Sequence, residues 1–480
     1  MPSSLVLCQR IKSESRVDLI FLSGRTVIIR QPATKTMTKT ENSASRQILS
    51  ARFAVLDFVT MMALLAVACH DSSQQGTVIT FPGSAVGAEA EVLRRQLSRF
   101  MEEHPDIRIV QRATPDAADL RHQLYVQWLN AGVSDPDILQ LDVIWTPEFA
   151  AAGWLLPLDA FAPDIESFFP ATIRANRWQG HLYALPWFVD VGMLYWRNDL
   201  LDGPPLTFAE LSQQATVAKS RSGLPFGFVW QGARYEGLVT VFLEHLGGFG
   251  GRMLDDTGRV AVDDVPAIQA LTYMRDAIYQ DRIVPESVLT WQEEQTRFAF
   301  QNGQAVFMRN WPYAYPLMQN QADSRIANTF TVALMPASPS GVHTATLGGS
   351  QLAINANTDH PHAAYLVIEY LTRPEQMQER AQLVGQYPPR PALYESDALA
   401  NALAIPPAQV RQIIERAVPR PVTPVYTELS AILQIHLHRA LTRQQEPADA
   451  LADAARAMRT LLKKVGLDPS NGTEKRPEKR

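Results

Sequence analysis

Between Thr77 and Asp142 the spacing of apolar residues switches repeatedly between two periods. Thr77-Val-Ile-Thr-Phe81 is a short apolar run that predicts a strand. Ala88 to His104 then carries Val92, Leu93, Leu97, Phe100 and Met101 at helical spacing, and Pro105 ends the pattern. Ile107-Arg-Ile-Val110 alternates as a second strand, and Asp119 to Asn130 is helical again. After the turn Ser134-Asp-Pro-Asp137 comes a third strand, Ile138-Leu-Gln-Leu-Asp142. Strand and helix in alternation predict an α/β fold with a parallel sheet. Ligands of such sheets lie beyond the carboxyl ends of strands, which is where Asp142 falls.

The pattern continues downstream. Helices are expected over Phe149–Leu158, Phe208–Ser220, Val265–Gln280, Glu293–Asn302 and Pro361–Leu371. Strands are expected over Ala261–Asp264, Ala305–Met308, Phe330–Met335 and Gln351–Ile354. The last third reads as nearly all helix: Gln376–Gln382, Ala408–Ala417, Val425–Leu441 and Pro447–Val465. Residues 466–480 are polar and rich in charge, and are expected to be disordered.

Upstream, Phe58 to Ala68 is apolar but too short to span a bilayer. With Arg46 and Arg52 before it and small residues ahead of Cys69, it has the form of a secretory signal. The cysteine directly after it reads as a lipobox, with cleavage before Cys69 and lipid on its thiol and amine. An ordinary signal peptide with an incidental cysteine is the alternative. Residues 1–68 are then address rather than machinery, Met37 is a better-placed start than Met1, and 69–76 is a polar tether. Cys8 is the one other cysteine, so the body downstream of Cys69 has no disulfide. A net charge of −5 argues against a nucleic-acid partner.

Three segments mix aromatic residues with hydrogen-bonding ones: Leu182–Asp190, Trp230–Glu236 and Asn310–Tyr315. Aromatic faces suit the C–H faces of sugars, and carboxylates and amides suit their hydroxyls. Asp142, Asp190 and Glu236 could equally be the paired acids of an exported glycoside hydrolase. A binder of oligopeptides or polyols is a third reading. Walker A, G-x-S-x-G and H-E-x-x-H patterns are absent, and no cofactor or metal is expected. His360/His362 and His436/His438 are two apart, a spacing that does not put both on one helix face.

The chain resembles the extracellular solute-binding proteins of ABC sugar importers, most nearly the trehalose/maltose-binding branch, from about Thr77 to Val465. The resemblance rests on an ordered set of blocks: Ser134-Asp-Pro-Asp137, Leu141-Asp-Val-Ile-Trp145, Gly153–Asp159, Leu185–Gly192, Gly227–Gly232 with Tyr235-Glu-Gly237, Arg309–Ala314, Thr346-Leu-Gly-Gly349 and Ala417-Val-Pro-Arg-Pro421. It implies a two-lobed periplasmic binding protein fold with a hinge and discontinuous lobes, and chain crossings near Pro186, Phe330 and Thr372. One lobe would comprise 77–187 plus 331–372, the other 188–330 plus 373–465. It further implies a non-enzymatic, monomeric receptor on the periplasmic side of the envelope, held by a lipid at Cys69. That receptor captures an α-linked disaccharide for a permease driven by a separate ATPase. By motif, Asp142 and Asp190 become hydroxyl acceptors, and Trp230, Trp311 and Tyr313 stacking platforms, with Tyr235 and Glu236 on the same wall. Gly348 and Gly349 become backbone donors, Arg121 and Arg390 guanidinium ligands, and Glu89 (or Glu91) an acid from the first loop. Ser350 and Phe188 depart from the pattern, which carries a large aromatic and a tyrosine there.

Overall fold

The computed structural model describes residues 20–22, 25–27, 76–83, 89–115, 118–339, 341–403 and 405–468. The chain divides into two units, Met1–Ser73 and Gln74–Arg480. In the first, β1 (Ile20–Leu22) and β2 (Arg25–Val27) form an antiparallel pair. The signal segment, Cys69 and the tether up to Gln75 lie outside the described residues.

The second unit opens with β3 (Thr77–Gly83), α1 (Glu89–Glu103), β4 (Ile107–Ala113), α2 (Ala118–Asn130) and β5 (Ile138–Asp142). The expected elements form here. β3 and β4 pair in parallel, while β5 pairs antiparallel with a late strand. The three strands therefore do not make one parallel sheet: among the described residues β3 and β4 pair with each other alone, and β5 belongs to another sheet. α3 (Thr146–Ala151) starts with Pro147 in its first turn, where a missing N–H does no harm. It stops short of the expected Leu158, since Gly153 turns left-handed at φ 75°. After α4 (Pro170–Ala175) and the short pair β6 (Arg177–Trp178) and β7 (His181–Leu182), two strands run almost end to end: β8 (Ala184–Val191) and β9 (Met193–Arg197). Periodicity missed both because they are buried on both faces and so do not alternate.

α5 (Phe208–Ser222) begins with a capping box from Thr207 and Glu210 and ends at Gly223 in the left-handed region. Then come β10 (Phe226–Val229) and α6 (Glu236–Gly248). α6 is buried nearly all round, so no polar face marked it in the sequence. Ala261–Asp264 is a turn rather than the expected strand, and Asp264 flanks the start of α7 (Val265–Tyr279). α8 (Glu293–Gln301), β11 (Ala305–Asn310), α9 (Ala314–Gln319) and β12 (Phe330–Ala333) follow. β9 lies between β11 and β12, and β10 adds beside β11.

β13 (Thr346–Ile354) is the central strand of its sheet: β8 runs along one side, and β5 and β14 (Val418–Pro419) share the other. The helices of the last third are α10 (Pro361–Leu371), which packs against β13, α11 (Pro374–Val384), α12 (Pro407–Arg416), and α13 (Tyr426–Leu441) with α14 (Pro447–Lys464), which pack on each other and on α7. α11 docks on α1 through Gln96 with the Gln376 carbonyl and Arg99 with Glu379. The apolar interior gathers in three clusters, one around β3, α1 and α10, one around β9, β11 and β12, and the largest around α6, α7, α13 and α14. No helix among the described residues is long and apolar enough to cross a membrane.

Candidate functional site

The registers on β13 bring three distant segments together. Ser350 faces Asp142 of β5, and Gly348 faces Asp190 of β8. Gly349 adopts φ 118°, and a Cβ there would lie 2.2 Å from the Phe188 carbonyl oxygen, so only glycine fits. At Gly348 a Cβ would come within 3.3 Å of the Asp190 Cβ and 3.4 Å of Trp311 Cζ3. Asp142, Asp190 and Trp311 thus ring a glycine floor.

Arg420, just past β14, spans two of the acids. One guanidinium nitrogen donates to Asp142 Oδ1 and another to Glu236 Oε1, each at 2.8 Å. Glu236 is the first residue of α6, where the helix N-terminus favours an anion. It also accepts from the Tyr426 hydroxyl at 2.8 Å and from the Ser430 hydroxyl. Burial raises the Glu236 pKa, opposed by Arg420, Ser430 and Tyr426. Arg420 is held charged above its ordinary value by Asp142 and Glu236 against the desolvation of a 6 % exposed residue. Burial, then Asp142, raises the pKa of Asp119 of α2, with the Glu236 backbone N–H pulling the other way.

Among the described residues, Asp190 has no such clamp. Burial first, then the nearby Glu89 and Asp142, push its pKa up to about 7, with Arg309 and Arg420 pulling the other way. Arg309 and Glu244 form a bidentate pair with no exposed side-chain surface, and Gln231 Oε1 accepts from Arg309 at 3.1 Å. The Arg309 guanidinium sits 3.9 Å from the Trp311 ring centroid. Trp311 Nε1 donates to Glu293 at 3.4 Å, and the Tyr313 hydroxyl to Glu294 at 2.7 Å. The arrangement offers aromatic faces, carboxylate acceptors and guanidinium donors around one floor, the equipment for gripping a polyhydroxylated molecule.

Residues 84–378 match the model of the family described as bacterial extracellular solute-binding protein. The chain belongs to this family. It is 32% identical over 408 residues to a probable ABC transporter-binding protein of Deinococcus radiodurans, covering 82% of this chain and 96% of that one. Among solved structures, it is similar to maltose-bound MalE3 of T. maritima, at 42% identity and TM-score 0.77, covering 81% of this chain and 100% of that one. The GacH receptor of Streptomyces glaucescens shares the fold at 23% identity and TM-score 0.73, over 81% of this chain and 99% of that one. The solute-binding architecture of this family, two-lobed and α/β, is the fold of this chain.

Within this solute-binding protein the expected residues separate into groups. Asp142, Asp190, Glu236, Trp311, Gly348 and Gly349 come together as described. Glu89 is the acid that acts on Asp190, whereas Glu91 is exposed and paired with Arg94 and Arg95. Tyr235 and Tyr313 stand beside the Glu293–Glu294 start of α8. Arg121 is 7% exposed, donates to the Pro115 carbonyl and lies 5.5 Å over Trp145.

Two of the expected residues lie apart from this floor. Trp230 is 1% exposed inside the largest apolar cluster. Arg390 is engaged by the Thr372 carbonyl, Ser167 and Asp164, and lies 4.0 Å over Phe168. The guanidinium of the acid cluster is Arg420, which sequence reasoning left inside the block Ala417–Pro421 without a role. Glu293 and Arg309 were missed too. Ser350, one of the departures, is buried and accepts from Gln140 Nε2 at 3.1 Å.

Proposed function

We propose that this protein is the capture component of an ABC sugar importer and binds an α-linked disaccharide of the maltose or trehalose type. The observation that carries the reading is the glycine floor at Gly348–Gly349 ringed by Asp142, Asp190 and Trp311. A pyranose on Trp311 would place its hydroxyls against those carboxylates, and the glycines let the backbone approach. The similarity to a maltose-bound protein at 42% identity supports the disaccharide class. Closure of the lobes around the sugar would shift an existing open/closed equilibrium, and the closed form would be presented to the permease. The acids here serve as hydrogen-bond acceptors: Asp142 and Glu236 are clamped by Arg420.

Titration with trehalose, maltose, sucrose and glucose tests this, with the nine tryptophans as fluorescence reporters. Saturable quenching by a disaccharide is expected, and no saturable response to any of the four sinks the reading. A hydrolase would release glucose from the bound sugar over hours, whereas a receptor returns it intact. The same reading includes lipid anchoring at Cys69. Cys69→Ser should move the protein from the membrane to the soluble fraction, and unchanged fractionation overturns the anchor.

A further inference from the structure

Trp311 has two faces and two long edges, and the structure accounts for three of these four. One face is covered by the Arg309 guanidinium at 3.9 Å, itself locked by Glu244 and Gln231. The edge at Cζ3 abuts Gly348, whose strand partner is Asp190. In an indole, Cζ3 stands para to the carbon that bears Nε1, so the Nε1 edge is the opposite one. That edge meets Glu293. The second face is the one left for stacking, with Glu293 at one edge of the ring and Gly348, paired with Asp190, at the other.

Glu293 is held differently from its neighbour. The Glu294 carboxylate is taken up by Arg297 at 3.0 Å and the Tyr313 hydroxyl at 2.7 Å. Among the described residues, the Glu293 carboxylate receives one long bond, the 3.4 Å contact from Trp311. A carboxylate can accept about four hydrogen bonds, so most of its capacity is open. The Tyr235 hydroxyl lies close enough that Glu293 raises its pKa, after the larger effect of burial. That hydroxyl is buried, and Glu293 lies near it at a geometry short of a well-formed hydrogen bond. Its ring folds over Gly237, where a Cβ would stand 2.1 Å from the hydroxyl oxygen. A buried hydroxyl so poorly bonded is unfavourable in the ligand-free protein, and a ligand that bonds to it well removes the penalty.

We propose that Glu293, with the Tyr235 hydroxyl, forms a second hydrogen-bonding rim for the pyranose stacked on Trp311, opposite Asp190, and so helps decide which sugar binds. The proposal rests on the sugar-binding reading above. Glu293 accepts from ring hydroxyls, and Tyr235 donates to a ring or hydroxyl oxygen beside them. A pyranose read at both rims is discriminated by the orientation of hydroxyls at opposite ends of its ring. Discrimination is steep because a missing partner leaves a buried group unpaired.

The test is calorimetric titration of the full protein with whichever of maltose, trehalose and sucrose the wild type binds, and with its monodeoxy analogues. Glu293→Gln keeps an acceptor for Trp311 and should weaken the sugar about 10- to 100-fold, the loss typical of a charge-assisted hydrogen bond. The decisive readout is coupling. One monodeoxy analogue should bind the wild type at least about tenfold more weakly than the parent sugar, yet lose nothing further with Glu293→Gln. A merely structural role would weaken every analogue alike. Tyr235→Phe removes the hydroxyl alone and tests the same rim, should Glu293→Gln fail to fold. Equal affinities for wild type and both variants, or uniform losses across the analogues, overturn the rim. A wild type that binds none of the three sugars overturns the underlying reading, and the rim with it.

Discussion

Asp190 of β8 stands directly opposite Gly348 of β13, and a methyl group at Gly348 would lie 3.3 Å from the Asp190 Cβ. The closeness allows an acid and an indole to share one floor. Gly348→Ala should therefore fold but displace Asp190 and Trp311 by a few tenths of an ångström, lowering sugar affinity several-fold. Gly349→Ala meets backbone rather than side chain, at φ 118°. It should cost at least ~1–3 kcal/mol of stability, measured by urea unfolding. Equal effects of the two substitutions would contradict this account of the floor.

Arg420 is the one cation bonded to both Asp142 and Glu236 among the described residues. Arg420→Met leaves those carboxylates buried without it, and breaking such a network costs ~3–5 kcal/mol. Sugar affinity should fall in the same variant. Arg420→Lys can meet one acid but not both in fork geometry, so it should recover part of the stability and less of the binding. Thermal unfolding and titration together check both outcomes.

Trp311 and Trp230 should separate binding from stability. Trp311→Ala removes a half-buried ring from the floor and should weaken the sugar by more than about tenfold, with modest loss of stability. Trp230→Ala opens a cavity in the core and should cost ~3–5 kcal/mol. Were Trp230→Ala to abolish binding in a protein of unchanged stability, its assignment to the core would be wrong.

The pH dependence follows from Asp190. Its pKa in the folded protein is about 7, against 3.8 for the ordinary side chain. A raised pKa means that the folded state favours the protonated acid. The stability associated with that proton is present in full below about pH 4 and is lost as pH rises to about 7. Its size is of order a few kcal/mol. Asp190→Asn should flatten this part of the profile, raising stability at pH 8 relative to wild type while weakening the sugar. His245 acts oppositely. Burial lowers its pKa to about 4, so its contribution is present above the ordinary 6.5 and fades as pH falls toward 4. Urea unfolding of wild type and Asp190→Asn at several pH values between 4 and 8 resolves the two slopes.

Amphipathic segments were readable from the chain alone. α1, α7 and α10 show their apolar spacing in the sequence because each has one dry and one wet face. The acids Asp142, Asp190 and Glu236 were found because they interrupt apolar or aromatic runs, where a charge is conspicuous. Elements without a wet face stayed hidden: α6 and the strands β8 and β9 show no period, yet they carry Glu236, Glu244 and Asp190.

The sequence by itself determined the α/β alternation, the helical last third and the kinds of side chain available to a site. Tertiary structure alone decided which of them meet. The β13 registers set Asp190 against Gly348 and Asp142 against Ser350, pairings between residues more than 150 positions apart. Packing elsewhere in the chain set Arg420 rather than Arg390 against the acids and Glu89 rather than Glu91 near Asp190, and put Trp230 in the core while Trp311 stayed at the floor. Residue type fixes what a side chain can bond, but burial and neighbours decide what it does bond, and those depend on strand pairing between segments remote in the chain.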